Sequence, residues 1–243
     1  SIFNNNATWQ VLGQQVLMGR ITIPRDLLLL LGALTKMLEA GISTEAQQQA
    51  LLAQQGKIEA KLIELYNLKG TDPDNAVFVK PAPYNLDAWD GYFPAREQIL
   101  RRAQYFNKNL VVLAGDSHNA WASDLYTAND SGEVQHAAGS VGVEFATSSV
   151  TSPGFETYVG FGTDAVKQAQ FEAAVTTLVD DLKYFNAAQR GYMLVEFTPA
   201  KSSCEWIYVD TILEEDYTAS VQKKMEVKPG QGKRTLTNVP LVS

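Results

Sequence analysis

The sequence predicts a mixed α/β (α+β) fold, and three observations carry that expectation. Residues 110–113 (LVVL) are a continuous apolar run entered directly from a helical stretch, as a strand buried in an α/β sheet is. "GYMLVEFTP" and "CEWIYVDTIL" each alternate in character and are joined by a turn at "AKSS", which is how two neighbouring strands read. "TDAVKQAQFEAAVTTLVDDLKYF" reads as a helix.

The remaining elements follow in chain order. "ATWQVLGQQVLMG" alternates around Trp9, Val11, Val16 and Met18, as a strand would. "PRDLLLLLGALTKMLEAG" suits a helix, with Pro24 at its start and Gly41 as its stop. A second helix is expected over residues 43–66, capped by Ser43, with Ala46, Ala50, Leu51, Ile58, Leu62 and Leu65 as a partial apolar stripe. Gly56 weakens the expectation that this helix is unbroken. "KGTDPDN" has the residue types of a turn; Asp72 and Asp74 lack the further spaced oxygens of a calcium loop. "AREQILRRAQYF" puts Ile99, Leu100, Ala103 and Phe106 on one helical face, ahead of the apolar strand. "VGVEFATSSVTSPGFE" reads as a strand running into a loop, and the tail beyond residue 213 as a short strand and a loop. With no internal repeat and no linker, one unit is expected over residues 1–243.

Composition narrows the function. The 243 residues carry a net charge of −7, which argues against a nucleic-acid surface built on positive charge. An anionic substrate is still admissible, because a metal ion can invert the local field. The single cysteine, Cys204, excludes an internal disulfide and a multi-cysteine zinc site; within "CEWIYVD" it reads as a buried hydrophobe. The apolar run from Leu27 falls short of the roughly 20 residues that span a bilayer, so no membrane span is expected.

The chemistry-bearing stretch is "NLVVLAGDSHNAWASDL". Asp116 and His118 stand two apart immediately after the apolar run. In an extended chain both would project to one side; in a tight turn both could still reach one ion. A carboxylate and an imidazole suit iron, manganese or zinc, and the carboxylate alone suits calcium. An ordinary strand-end turn with a structurally satisfied histidine fits the spacing as well. His136, in "GEVQHAAGS", is read as a surface residue.

That stretch resembles the signature strand and loop of PhoD-type alkaline phosphatases, relatives of the purple acid phosphatases and other metallophosphoesterases. "TWQVLGQQVLM", "WDGYFPAREQIL", "VEFATSSVTSPG" and "RGYMLVEFTP…EWIYVDTI" resemble further family segments in the family's order. The helical stretch from about 25 to 82 falls outside the resemblance and reads as a variable insertion. The resemblance implies phosphoric ester hydrolysis, mono- or diester, at a centre built from calcium and iron. It implies that Asp116 and His118 are metal ligands at the Gly-Asp-x-His positions; Asn119, which follows the motif, either lines the site or plays an ordinary loop role. Asp90 and Arg96 match a Trp-Asp-x-Tyr…Arg pattern and are candidates to serve the site; otherwise Asp90 would cap the following helix and Arg96 would be a solvated helix residue. Thr151 and Ser152 would shape a loop beside the site.

The implied fold is a four-layered sandwich of two mixed β-sheets flanked by helices, of which this chain is the carboxy-terminal portion. Each half of that architecture is expected to contribute one sheet. A missing amino-terminal half, a homodimer mate or the helices of residues 25–66 would then cover the inner sheet face. The resemblance also implies a periplasmic or secreted location and a phosphate ester as partner. The chain departs from the family in lacking segments like Gly-Asp-x-x-Tyr and Asp-Asp-His-Glu, and any cysteine upstream of the strand. Weak or absent activity of the chain alone is therefore expected, with a non-catalytic binding or structural domain on the same scaffold as the alternative.

Overall fold

Residues 110–114 lie at the centre of the fold because nothing in them tolerates water. The computed structural model, which describes residues 3–241, forms from them the strand β4, and a five-stranded sheet surrounds it. The chain enters through β1 (Gln10–Gly13) and β2 (Thr22–Ile23), then the helices α1 (Arg25–Glu39), α2 (Glu45–Thr71) and α3 (Ala76–Val79). β3 (Ala82–Pro83), a 3₁₀ turn (Trp89–Tyr92) and α4 (Phe93–Tyr105) lead into β4 (Leu110–Ala114). Next come β5 (Ala120–Leu125), a 3₁₀ turn (His136–Ala138), β6 (Gly142–Ala146), α5 (Phe155–Val159), α6 (Ala165–Leu178) and β7 (Leu182–Asn186). β8 (Gly191–Phe197), β9 (Ser202–Val209), β10 (Ala219–Val227) and β11 (Thr237–Asn238) complete it.

The large sheet has the order β1-β4-β6-β5-β7, with β4 parallel to both neighbours and β5 antiparallel to β6 and β7. A second sheet, β11-β10-β9-β8, is antiparallel throughout, and β2 pairs only with β3. Strand alternation decides what each face meets. Val111, Ala120, Ala122, Val143 and Phe145 face the second sheet and pack on Cys204, Trp206, Tyr208, Met225 and Val227. Leu110, Val112 and Leu125 face the other way, onto Leu100 and Ala103 of α4. Ala114, Trp121, Ala146 and Phe185 meet the cluster built by α1, α2 and α6.

Both sheets of the sandwich therefore belong to this chain. The expected division, one sheet to each half of the architecture, does not hold. The inner face of the large sheet is covered by β8–β11, while the helices of residues 25–71 lie on the opposite face. The seam between the sheets is aromatic: Trp206 meets Phe145 at 5.8 Å and Tyr184 at 4.9 Å between ring centroids. Its indole N–H donates to the Ala146 carbonyl at 2.9 Å, and the Tyr184 and Tyr208 hydroxyls pair at 2.7 Å.

Several local expectations are revised by tertiary structure. Thr44, not Ser43, caps α2, through a reciprocal box with Gln47, and the helix runs through Gly56 to Thr71. Gly41 ends the preceding segment at φ 79°, a conformation that costs glycine little. The helix expected over residues 163–185 stops at Leu178; residues 182–186 become β7 because Tyr184 and Phe185 pair on β5 and bury there. β5 itself reads poorly from sequence, since Ala, Ser and Asp are weak strand formers that only its central position makes suitable. The tail holds the nine-residue β10, longer than the short strand expected.

Replacing Trp206 by Ala removes the largest side chain of the seam and one buried hydrogen bond. The urea midpoint is expected to fall by an amount equivalent to roughly 3–5 kcal/mol.

Candidate metal and phosphate site

At the end of β4 the sheet stops supplying partners, and the chain turns back within five residues to begin β5. The Ala114 carbonyl accepts from the Thr147 N–H at 3.0 Å, and the Gly115 N–H donates to the Gln15 carbonyl at 2.9 Å. Ser117 N–H closes a three-residue turn on the Gly115 carbonyl at 2.6 Å. The reversal puts Asp116 at φ 62° and His118 at φ 61°, both left-handed. Non-glycine residues occupy that region at a cost of roughly 1–2 kcal/mol, which short polar side chains bear best. Of the two geometries open to the i, i+2 pair, the chain takes the tight turn. Asp116 is exposed at its tip.

The turn is held from below. Ser117 Oγ accepts from the Trp121 indole N–H at 2.8 Å, and buried Asn119 donates Nδ2–H to the Ala187 carbonyl at 2.7 Å. His118 Nδ1 lies 2.9 Å from the Pro153 carbonyl oxygen. A carbonyl only accepts, so Nδ1 is the donor, and in the neutral ring the lone pair would sit on Nε2. A ring fixed in this way by a backbone carbonyl is the usual companion of a metal-binding histidine. The loop supplying Pro153 is itself braced: Ser149 Oγ donates to the Ser152 carbonyl, and Glu156 accepts from Gly154 N–H and pairs with Arg190. Thr151 and Ser152 thus belong to the loop that meets His118 through Pro153.

An exposed carboxylate and a neutral imidazole with its lone pair on Nε2 fit a cation such as iron, manganese or zinc as partial ligands. Among the described residues, however, no group of three or more His, Cys, Asp or Glu side chains could hold a metal ion. Asp116 and His118 can supply part of a coordination shell, not a whole one.

The other candidates separate. Asn119 and Asp90 line one cavity of about 110 Å³, together with Ser117, whereas Asp116, His118 and Arg96 do not border it. Asp90 caps nothing. It accepts the Ile21 N–H at 2.9 Å and lies 3.9 Å from Arg20 Nε, and the residue before α4 has no side-chain cap. Burial raises the Asp90 pKa, against the opposing pull of the Ile21 hydrogen bond, Arg96 and Arg20. Arg96 is not a solvated helix residue: it is 1% exposed and donates to the Met18 carbonyl at 2.8 Å and to Glu97 at 2.7 Å. Its guanidinium ties α4 to the loop after β1. His136 is exposed at the surface, as its sequence context suggests, with Nε2 2.7 Å from Asp181 and its ring against Tyr126.

Sequence reasoning missed Glu144. A carboxylate in the apolar run "VGVEFA" was the available signal. Fully buried on β6, it accepts the Met18 N–H at 2.6 Å and the Gly19 N–H at 2.8 Å. Burial pushes its pKa up to about 7 despite those two hydrogen bonds and the nearby Arg96.

Comparison with known proteins places this arrangement. The chain matches the PhoD-like phosphatase family over residues 1–206. It is 28% identical over 133 residues to alkaline phosphatase D of Bacillus subtilis (strain 168), covering 54% of this chain and 20% of that protein. It superposes over its whole length on a solved structure of PhoD with a TM-score of 0.59 at 20% identity, covering 33% of that chain. The chain thus spans a third or less of the length of these relatives. Its fold is the α+β fold of PhoD, and the chain belongs to the PhoD-like phosphatase family.

The pH dependence of stability follows from Glu144. Its folded pKa lies above the unfolded value, so its contribution is fully present below the ordinary carboxylate range and is lost as pH rises through about 7. Asp124, raised to about 6 by burial, acts with the same sign. Urea midpoints measured across this range are expected to fall with rising pH, and Glu144→Gln is expected to flatten the upper part of that decline.

Proposed function

We propose that this chain is part of a metal-dependent phosphoric ester hydrolase, an alkaline phosphatase or phosphodiesterase, and carries one edge of its active site. The observation that carries the reading is the His118 ring, locked through Nδ1 by the Pro153 carbonyl on a strained strand-end turn, in a chain of this family. In this reading Asp116 and His118 Nε2 are ligands, and calcium and iron are the metals the family resemblance implies. Bound there, the metal would supply activation of water near neutral pH and neutralisation of the phosphate oxygens.

The chain's own residues do the positioning. Pro153 keeps the proton on Nδ1, so that no tautomer change is needed for ligation. The Trp121–Ser117 and Asn119–Ala187 bonds keep the turn from relaxing out of its left-handed geometry. The remaining ligands would come from residues other than those described, since two donors leave a calcium shell of six or more oxygens largely unfilled. Little turnover by the isolated chain follows, and a periplasmic or secreted location accords with the reading. No described helix is long and apolar enough to cross a membrane.

Asp116→Ala and His118→Ala, in the protein that carries this chain, are each expected to lower hydrolysis of p-nitrophenyl phosphate or bis(p-nitrophenyl) phosphate by on the order of 100-fold or more. Thermal unfolding should shift little for Asp116→Ala, whose side chain is exposed at the tip of the turn, and more for His118→Ala, which loses the contact with Pro153. Undiminished turnover in either variant would overturn the assignment and leave a non-catalytic scaffold as the better reading.

A further inference from the structure

The carbonyl that meets His118 belongs to a peptide unit held at both ends. Pro153 C=O and Gly154 N–H share one plane and, in a trans peptide, point in opposite directions. On one side the carbonyl accepts the His118 Nδ1–H at 2.9 Å. On the other, Gly154 N–H donates to Glu156 Oε1 at 3.2 Å. The plane cannot turn without breaking both contacts, so the Glu156 carboxylate decides which way the Pro153 carbonyl faces.

Glu156 is placed from the connection between β7 and β8. There Arg190, 7% exposed, pairs with Glu156 Oε1 through one amino group and donates to the Ala188 carbonyl at 2.7 Å through the other. The Ala187 carbonyl accepts both the Glu156 N–H at 3.4 Å and Asn119 Nδ2–H at 2.7 Å. Gly191 N–H donates to the Ser149 carbonyl at 3.0 Å, and Ser149 N–H to the His118 carbonyl at 3.4 Å. Residues 187–191 thus hold the turn and the loop against one another. The fit is close: a Cβ at Gly154 would stand 2.5 Å from Asn119 Nδ2 and 2.9 Å from Glu156 Oε2, so glycine is what lets this peptide approach the turn.

The ion pair is not arranged for the strongest pairing, which would be bidentate. Oε1 receives Arg190, Gly154 N–H and the Thr157 hydroxyl, while buried Oε2 and Arg190 Nε have no hydrogen-bond partner among the described residues. What this geometry does satisfy is the Gly154 N–H. A carboxylate on that N–H also polarises the peptide, because hydrogen bonds in series strengthen one another, and the Pro153 oxygen becomes a better acceptor for Nδ1–H. We propose that Glu156, seated by Arg190, is a positioning residue that acts through the Pro153–Gly154 peptide to hold neutral His118 in its Nδ1–H form, with Nε2 left to serve as a ligand. The hold on His118 stands on geometry alone; its use in metal binding rests on the phosphoesterase reading.

Two-bond ¹H–¹⁵N spectra of the histidine-labelled protein that carries this chain report the tautomer directly, with His118→Gln identifying the signals. The wild type is expected in the Nδ1–H form. Glu156→Ala should shift the tautomer ratio about tenfold toward Nε2–H, the worth of roughly one hydrogen bond. Glu156→Gln, whose amide oxygen can still accept from Gly154 N–H, should restore the wild-type form. Arg190→Lys keeps the charge but cannot reach Glu156 and the Ala188 carbonyl together, and should shift the ratio in the same direction as Glu156→Ala. Leu100→Ala, a core truncation under α4, lowers stability elsewhere and should leave the tautomer alone. An unchanged tautomer in Glu156→Ala and Arg190→Lys, or an equal change in Leu100→Ala, overturns the proposal. Mn²⁺ titrated into the metal-free protein should bind on the order of 10–100-fold more weakly in Glu156→Ala. A shifted tautomer with undiminished Mn²⁺ affinity and phosphate-ester turnover would sustain the hold on His118 and refute the phosphoesterase reading of that residue instead.

Discussion

The structure depends on the burial of β4 on both faces and along both edges. With parallel partners β1 and β6 on either side, a second sheet beneath and α4 above, its backbone direction is fixed to its last residue. The next residues must reverse into β5 without leaving the sheet's end. That reversal forces two non-glycine residues into left-handed conformations. A strand whose end could fray would relieve that strain and release the turn; this one cannot fray without breaking the core. Rigid packing thus fixes the backbone at Asp116 and His118.

A second layer of organisation is electrostatic. Met18 and Gly19, between β1 and β2, give their N–H groups to Glu144, while the Met18 carbonyl takes a hydrogen bond from Arg96. Glu97 accepts from Ala128 N–H and pairs with Arg96, so α4 is tied to the loop after β5 as well. Buried ion pairs of this kind contribute little net stability over apolar substitutes, but removal of one partner is costly. Their consequence here is geometric: they set where the 3₁₀ turn bearing Asp90 approaches the cavity under Asn119.

Much of this was legible in the residues. The apolar run at 110–113, the helix that feeds it, the alternation in β8 and β9 and the burial of Cys204 follow from periodicity and side-chain size, which act locally. The candidate ligand pair was visible for the same reason, as polar residues placed abruptly after a buried strand. Asn119 follows the turn and bonds the Ala187 carbonyl, and the loop of Thr151 and Ser152 meets the turn at Pro153. Arg96 and Asp90 could not be placed this way, because a helix-surface pattern gives no hint that a guanidinium is 1% exposed or that a carboxylate borders a cavity.

By itself, then, the sequence determined the element types over its strongly patterned stretches, the identity of the strand-end donors and the family. Tertiary structure alone decided that residues 182–186 are strand rather than helix, that both sheets of the sandwich lie within the chain, and that His118 donates through Nδ1. It also decided that Asp90 and Asn119 share a cavity which Arg96 does not reach. The physical reason is separation along the chain. Local propensity acts over a few residues, whereas β7 finds β5 across some 60 positions and Pro153 finds His118 across 35.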